Sequence, residues 1–229
     1  MLENIGYGPE VAEAFAPWAS AVDGRPGRVA RVDAGIVTVL TEQGLCRTGL
    51  GGGLLGELAV HPGARPCPGD WVVVREWCDQ RLTLEAVLPR CTTVTWPGPA
   101  GTEGEVLCAN ADAVAVVLSD RTRPAERRRL LAMAHDSGAR IQVVTPDDTP
   151  HTLRELLDGH LTLAVVGAAE HHRLTDVLVG ADVIGTSGAG GTMGTGRGLV
   201  VLPGGGAVID TPDVRGLGRA RGRRLPEVR

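Results

Sequence analysis

Lysine is missing from this sequence: all 23 of its basic residues are arginine. The absence excludes a class of chemistry. No Schiff base can form on a lysine, and no phosphate loop can carry its lysine. Aromatic residues are almost as scarce, 3% against 43% hydrophobic residues overall. The cores must therefore be aliphatic, built from Val, Leu, Ala and Ile. The five cysteines, at 46, 67, 78, 91 and 108, include no C-x-x-C pair, and none lies near a histidine in a zinc-ligand pattern. Their odd number predicts free thiols in a cytoplasmic protein. "MLENIGYGPEVAEAF" is acidic and has no long apolar run, which argues against a secretory signal or a membrane span. The formal net charge of -4 gives no general attraction to nucleic acid and leaves only local basic patches.

What is present falls into two rhythms. "GPEVAEAFAPWAS" (8–20) reads as a short amphipathic helix. From about 27 to 95 short β-like runs follow, punctuated by Pro and Gly. "GRVARVDAGIVTVLTEQG" predicts two strands around an Asp33-Ala34-Gly35 turn, and "GDWVVVREWC" and "RLTLEAVLPR" predict two more. About five strands in some 70 residues suggest a small closed barrel of the OB kind. "WPGPAGTEG" (96–104) reads as a turn-rich linker.

The second rhythm alternates strand and helix. "ADAVAVVLSD" is a buried strand, and "RPAERRRLLAMAHDSG" is a helix with Pro124 at its start and Gly138 at its stop. "RIQVVT" is a strand, "DTPHTLRELLDG" a helix, "LTLAVVG" a strand and "EHHRLTDVLVG" a helix. "GLVVLPGGGAVIDTP" is two strands around a Gly-rich turn. This spacing predicts βαβ units and a mainly parallel sheet, whose ligands bind outside the carboxyl ends of the strands. Those ends are Ser119-Asp120, 145–148, 167–172 and 210–213.

The order "LCANADAVAVVLS", "RRRLLAMAHDSGARIQVVTPDD", Gly167, "LPGGGAVIDTPDVRGLG" resembles the circularly permuted GTPases that act on the small ribosomal subunit. "GDWVVV" and "VLPRCTTVTW" resemble that family's barrel and linker. The resemblance implies an α/β protein with an N-terminal all-β barrel: an OB-like barrel followed by a parallel-sheet domain of the P-loop-NTPase, permuted-GTPase kind. It divides the chain into an N-terminal helical segment (1–24), the barrel (25–95), the linker (96–104), a degenerate GTPase-like domain (105–218) and a basic tail (219–229).

The departures from the family pattern concern its nucleotide site. The guanine-reading T-K-x-D becomes Thr145-Pro146-Asp147-Asp148, which keeps an aspartate at Asp148 and loses the lysine. Counted from Gly167, the phosphate loop G-x-x-x-x-G-K-[ST] has His172, Arg173 and Leu174 at its last three fixed positions. The switch histidine is replaced within Thr192-Met193-Gly194, and D-T-P-G becomes Asp210-Thr211-Pro212-Asp213. No cysteine follows Cys108, so the family's zinc knuckle has no counterpart in this sequence. A phosphate loop works by turning backbone N–H groups and a helix dipole onto the anion. Glu170, His171 and His172 cannot let the backbone wrap as glycine does, and a carboxylate in the first helical turn takes the positive pole itself. Leu174 removes the magnesium hydroxyl on which phosphoryl transfer relies.

The expectation is a pseudo-GTPase that neither hydrolyses GTP nor holds it tightly. Its vacated pocket would bind or transform a small organic molecule by acid/base chemistry, with Glu170, His171, His172, Asp210 and Asp213 as catalytic candidates. Asp148, Gly167, Arg173 and Thr211 are the ligand-binding candidates. Adjacent histidines point apart, so no metal site and no cofactor is expected. The alternative is a nucleotide-independent partner of the small ribosomal subunit, using the barrel and the tail "RGLGRARGRRLPEVR", with six Arg and one acid. A non-catalytic scaffold is the third reading. "GTSGAGGTMGTGRG" (185–198) reads as a mobile loop and "ERRR" (126–129) as a solvent face.

Overall fold

The computed structural model describes residues 1–33, 35–98, 104–145, 162–167, 198–202 and 204–211. The chain opens with a 3-10 turn, Leu2–Ile5, and helix α1, Pro9–Ala21. Gly8 is extended, Pro9 takes the first helical position where its missing N–H costs nothing, and Glu10 sits in the positive first turn. α1 buries Phe15.

Five strands close the barrel: β1 (Gly24–Asp33), β2 (Ile36–Thr41), β3 (Gly44–Leu50), β4 (Trp71–Glu76) and β5 (Leu82–Val87), in the order β1-β2-β3-β5-β4. β3 and β5 run parallel through Gly49↔Thr83 and Leu50↔Leu84, while the other pairs are antiparallel. This is the OB-like arrangement. Helix α2 (Gly52–Val60) lies between β3 and β4 and drives Leu54 into the barrel core beside Val29, Val39, Val72 and Leu84. The sequence reading missed α2. Its three glycines depress helix propensity, and packing of Leu54 overrides them.

β6 (Thr93–Trp96) and β7 (Glu105–Ala109) pair antiparallel, with Trp96 opposite Glu105. The segment read as a linker therefore falls between two paired strands. Then come β8 (Ala113–Val117), helix α3 (Pro124–His135), β9 (Arg140–Val144), β10 (Thr162–Gly167), β11 (Gly198–Val201) and β12 (Ala207–Asp210). The sheet order is β11-β12-β10-β8-β9. β12, β10, β8 and β9 are parallel, and β11 is antiparallel on the β12 edge. β8 and β10 are buried along their whole length, as the near-continuous apolar runs required. The helices expected at 148–159 and 170–180 lie outside the described residues.

One core runs through both halves. Leu2, Ile5, Phe15 and Trp71 belong to the same cluster as Leu107, Val116 and Ile209. At the contact between the halves stands Gly69, with φ +90. A Cβ there would overlap the Ala109 carbonyl oxygen and lie 2.7 Å from Ile209 Cδ1. Only glycine allows both the left-handed backbone and the close approach. No helix among the described residues is long and apolar enough to cross a membrane.

Candidate functional site

The carboxyl ends of the parallel strands gather three of the candidate residues. β10 ends at Gly167, opposite Val117 of β8. β12 ends at Asp210, opposite Val165 of β10 and Gly198 of β11. Thr211 carries the pairing one step further: its N–H (3.3 Å) and its hydroxyl (2.8 Å) both donate to the Val165 carbonyl. Thr211 is fully buried, and Asp210 is half-buried with its Oδ1 closed to solvent. This edge thus presents a carboxylate on the strand next to the one that ends at Gly167. Glu170, His171, His172, Arg173, Asp148 and Asp213 lie outside the described residues.

The opposite, amino end of the sheet holds a polar network that the sequence reading missed. Arg28 of β1 is 1% exposed. Its Nε donates to the Gly69 carbonyl at 3.2 Å. Nη1 donates to the Ile5 carbonyl and to the Thr162 hydroxyl (2.7 Å), and Nη2 to the Asn110 carbonyl (2.6 Å). The guanidinium also lies 4.9 Å from the Trp71 ring centre. Burial lowers its pKa to about 10, against the opposing pull of Asp112, Asp70 and Cys108. It stays charged at neutral pH.

A second arginine lies within the barrel half. Arg90, at the end of the "LPR" run, grips Asp70 of "GDW" in a two-pronged pair, Nε–Oδ1 at 2.7 Å and Nη2–Oδ2 at 2.8 Å. Asp70 is wholly buried and also accepts the Cys67 N–H at 2.8 Å. Burial pulls the Arg90 pKa down, but the hydrogen bonds and charge of Asp70 more than offset it, so the net shift is upward. Asn110, at φ 55, bridges the halves by accepting from Cys91 N (2.9 Å) and donating to the Gly69 carbonyl (3.2 Å). "GDW" and "LPR" were visible as family pieces. Nothing in "GRVAR" marked Arg28 as the buried one of its two arginines.

The described residues enclose a cleft of about 770 Å³ at this same end, between α1, the β5–β6 connection and the start of β8 and β10. On the barrel surface, the Arg75 guanidinium lies 3.8 Å from the Trp77 ring centre and that of Arg81 5.5 Å. Trp77 Nε1 donates to the Thr83 hydroxyl at 2.8 Å, which fixes the ring. Arg25 pairs with Glu76 beside it at 2.7 Å. Arg81 also pairs with Asp79 at 3.8 Å, so the tip of the β4–β5 hairpin mixes two arginines with two acids around the Trp77 ring.

No family model matches the chain. It is 34% identical to the "Small ribosomal subunit biogenesis GTPase RsgA" of Streptomyces coelicolor, covering 95% of this chain and 70% of the relative. It is 31% identical to the protein of the same name from Streptomyces avermitilis, covering 95% of this chain and 69% of the relative. Among solved structures it is similar to YjeQ from Thermotoga maritima, with a TM-score of 0.48, 18% identity and 83% of this chain against 75% of that one.

Proposed function

The chain belongs to the RsgA family of small ribosomal subunit biogenesis GTPases, and we propose that it is a member that docks on the small ribosomal subunit without hydrolysing GTP. The observation that carries this reading is the sequence that follows β10. The strand reaches Gly167 in register with β8, and the loop it should open has His172, Arg173 and Leu174 where glycine, lysine and a hydroxyl belong. No lysine elsewhere in the chain can substitute. GTP and its magnesium therefore do not fit the residues present.

Docking needs shape and charge, and both survive. The barrel is closed, and its joint to the sheet is tied by Arg28 and Asn110. At the hairpin tip the Arg75 guanidinium, held on the Trp77 ring, is a cation that an RNA backbone can meet. The test is co-sedimentation with purified small subunits, without nucleotide, at two salt concentrations. Stoichiometric, salt-sensitive binding is expected, unchanged by GTP. Absence of binding at low salt, or GTP turnover at the rate of an active relative, overturns the reading.

A second reading keeps a chemical role for the carboxyl end, where a small organic molecule would meet Asp210, Asp213 and the Glu170-His171-His172 run. One observation favours it: Asp210 is half-buried beside the strand that ends in Gly167, with one carboxylate oxygen shielded from water. Carboxylates in such surroundings serve as acid or base groups. His171→Ala and Asp213→Ala would then abolish turnover of the true substrate while leaving ribosome binding intact.

A further inference from the structure

We propose that the cleft under the amino ends of β8 and β10 binds a small zwitterion, an amino-acid-like molecule with a carboxylate close to an ammonium group. At about 770 Å³ the cleft has the size of a small-molecule site. It lies at the opposite end of the sheet from Gly167 and Asp210. Its floor is Arg28. That guanidinium has five N–H groups, and its four hydrogen bonds all run to neutral acceptors: three carbonyls and a hydroxyl. One N–H of Nη2 remains. Asp70 and Asp112 act on Arg28 through space, but no carboxylate among the described residues touches it. A buried cation held only by dipoles favours an anionic group beside it.

The rim has the opposite sign. Glu10 of α1 and Asp112 are exposed at the cleft. Asp112 Oδ2 accepts the Thr162 N–H at 2.7 Å, which fixes the carboxylate and leaves Oδ1. Glu10 Oε2 lies 3.9 Å from the Cys91 thiol, its nearest partner across the cleft. A lone anion is repelled by this rim, and a lone cation by the floor. A molecule carrying both charges a few bonds apart satisfies each pole. The walls contributed by Val11, Ala14 and Leu88 are apolar and accommodate a short aliphatic body.

The experiment is calorimetric titration of the full chain with L-alanine, L-valine and L-leucine, with acetate and methylammonium as single-charge probes. The expected result is saturable binding of at least one amino acid, with both single-charge probes weaker by about tenfold or more. Glu10→Gln combined with Asp112→Asn should weaken that binding by a similar factor, and Asp210→Asn should leave it unchanged. Asn at 112 retains an acceptor for the Thr162 N–H, and circular dichroism checks the fold. If the double variant does not fold, Glu10→Gln alone, at an exposed position, carries the test. The proposal is overturned if none of the amino acids binds at millimolar concentration. It is equally overturned if methylammonium or acetate matches the best amino acid, or if the rim variants bind like the parent.

Discussion

The two ends of the parallel sheet are built on opposite terms. At the amino end Arg28 is buried among backbone carbonyls, the buried Asp70 is gripped by Arg90, and Gly69 lets two backbones touch. At the carboxyl end the strands arrive in register at Gly167 and Asp210, and Thr211 donates to the Val165 carbonyl. A buried ion pair contributes little net stability over apolar packing and fixes geometry instead. Here the pair fixes the turn before β4 against the segment that leaves β5.

The sharpest way to break this contrast is to remove the buried carboxylate. Asp70→Ala strands Arg90, 15% exposed, without its partner, and frees the Cys67 N–H. The expected loss is about 3–5 kcal/mol of unfolding free energy, read by urea denaturation. A loss below about 1 kcal/mol would mean that the joint relaxes around the missing charge and that the amino end is no more exacting than the other. Next in size is Gly69→Ala. It combines a left-handed backbone with overlap on the Ala109 carbonyl, and about 3 kcal/mol is expected. Gly205 is the control. Its φ of +92 is nearly the same, but nothing lies within 4 Å of its would-be Cβ. Gly205→Ala should therefore cost only the backbone share, about 1–2 kcal/mol. Equal effects at the two glycines would show that the close approach at the joint contributes nothing.

Much of the frame was legible in the sequence because it rests on periodicity and punctuation. The five barrel strands alternate between Gly and Pro breaks, and Pro124 and Gly138 bracket α3 as capping chemistry demands. The continuous apolar runs of β8 and β10 announced buried parallel strands. What was hidden depends on tertiary contact. α2 forms from a run of glycines because Leu54 has a core to enter. Arg28 and Arg31 occupy the same strand, and only the fold decides that the first is buried among carbonyls while the second pairs with Asp33 in solvent. Of the candidate site, sequence spacing picked out Gly167, Asp210 and Thr211 by their place at strand ends. The amino-end cleft left no local signal, since its residues come from seven separate stretches of chain.

At the carboxyl end the corresponding perturbation is milder. Thr211→Val removes the hydroxyl bond to the Val165 carbonyl but keeps the backbone N–H bond to the same oxygen. One hydrogen bond with a retained neighbour amounts to about 1 kcal/mol. A loss as large as that of Asp70→Ala would erase the asymmetry between the two ends.

The smallest perturbation changes no residue. Cys67 sits at the joint and Cys108 in β7 beside it, both buried, while Cys78 and Cys91 are exposed. Burial, reinforced by the Asp70 charge, pushes the Cys67 thiol well above its ordinary pKa, and burial raises that of half-buried Cys46. Because the thiolate is the reactive form, an aromatic disulfide reagent should modify Cys78 and Cys91 at once and Cys46 more slowly. Cys67 and Cys108 should wait for unfolding, with the denaturant dependence of the global transition. Raising the pH to about 9 should not bring Cys67 into the fast phase, since its thiol is held protonated as well as covered. Fast labelling of Cys67 in the absence of denaturant would show that the joint opens on its own. The amino end would then be the pliable one, and the contrast between the two ends would be reversed.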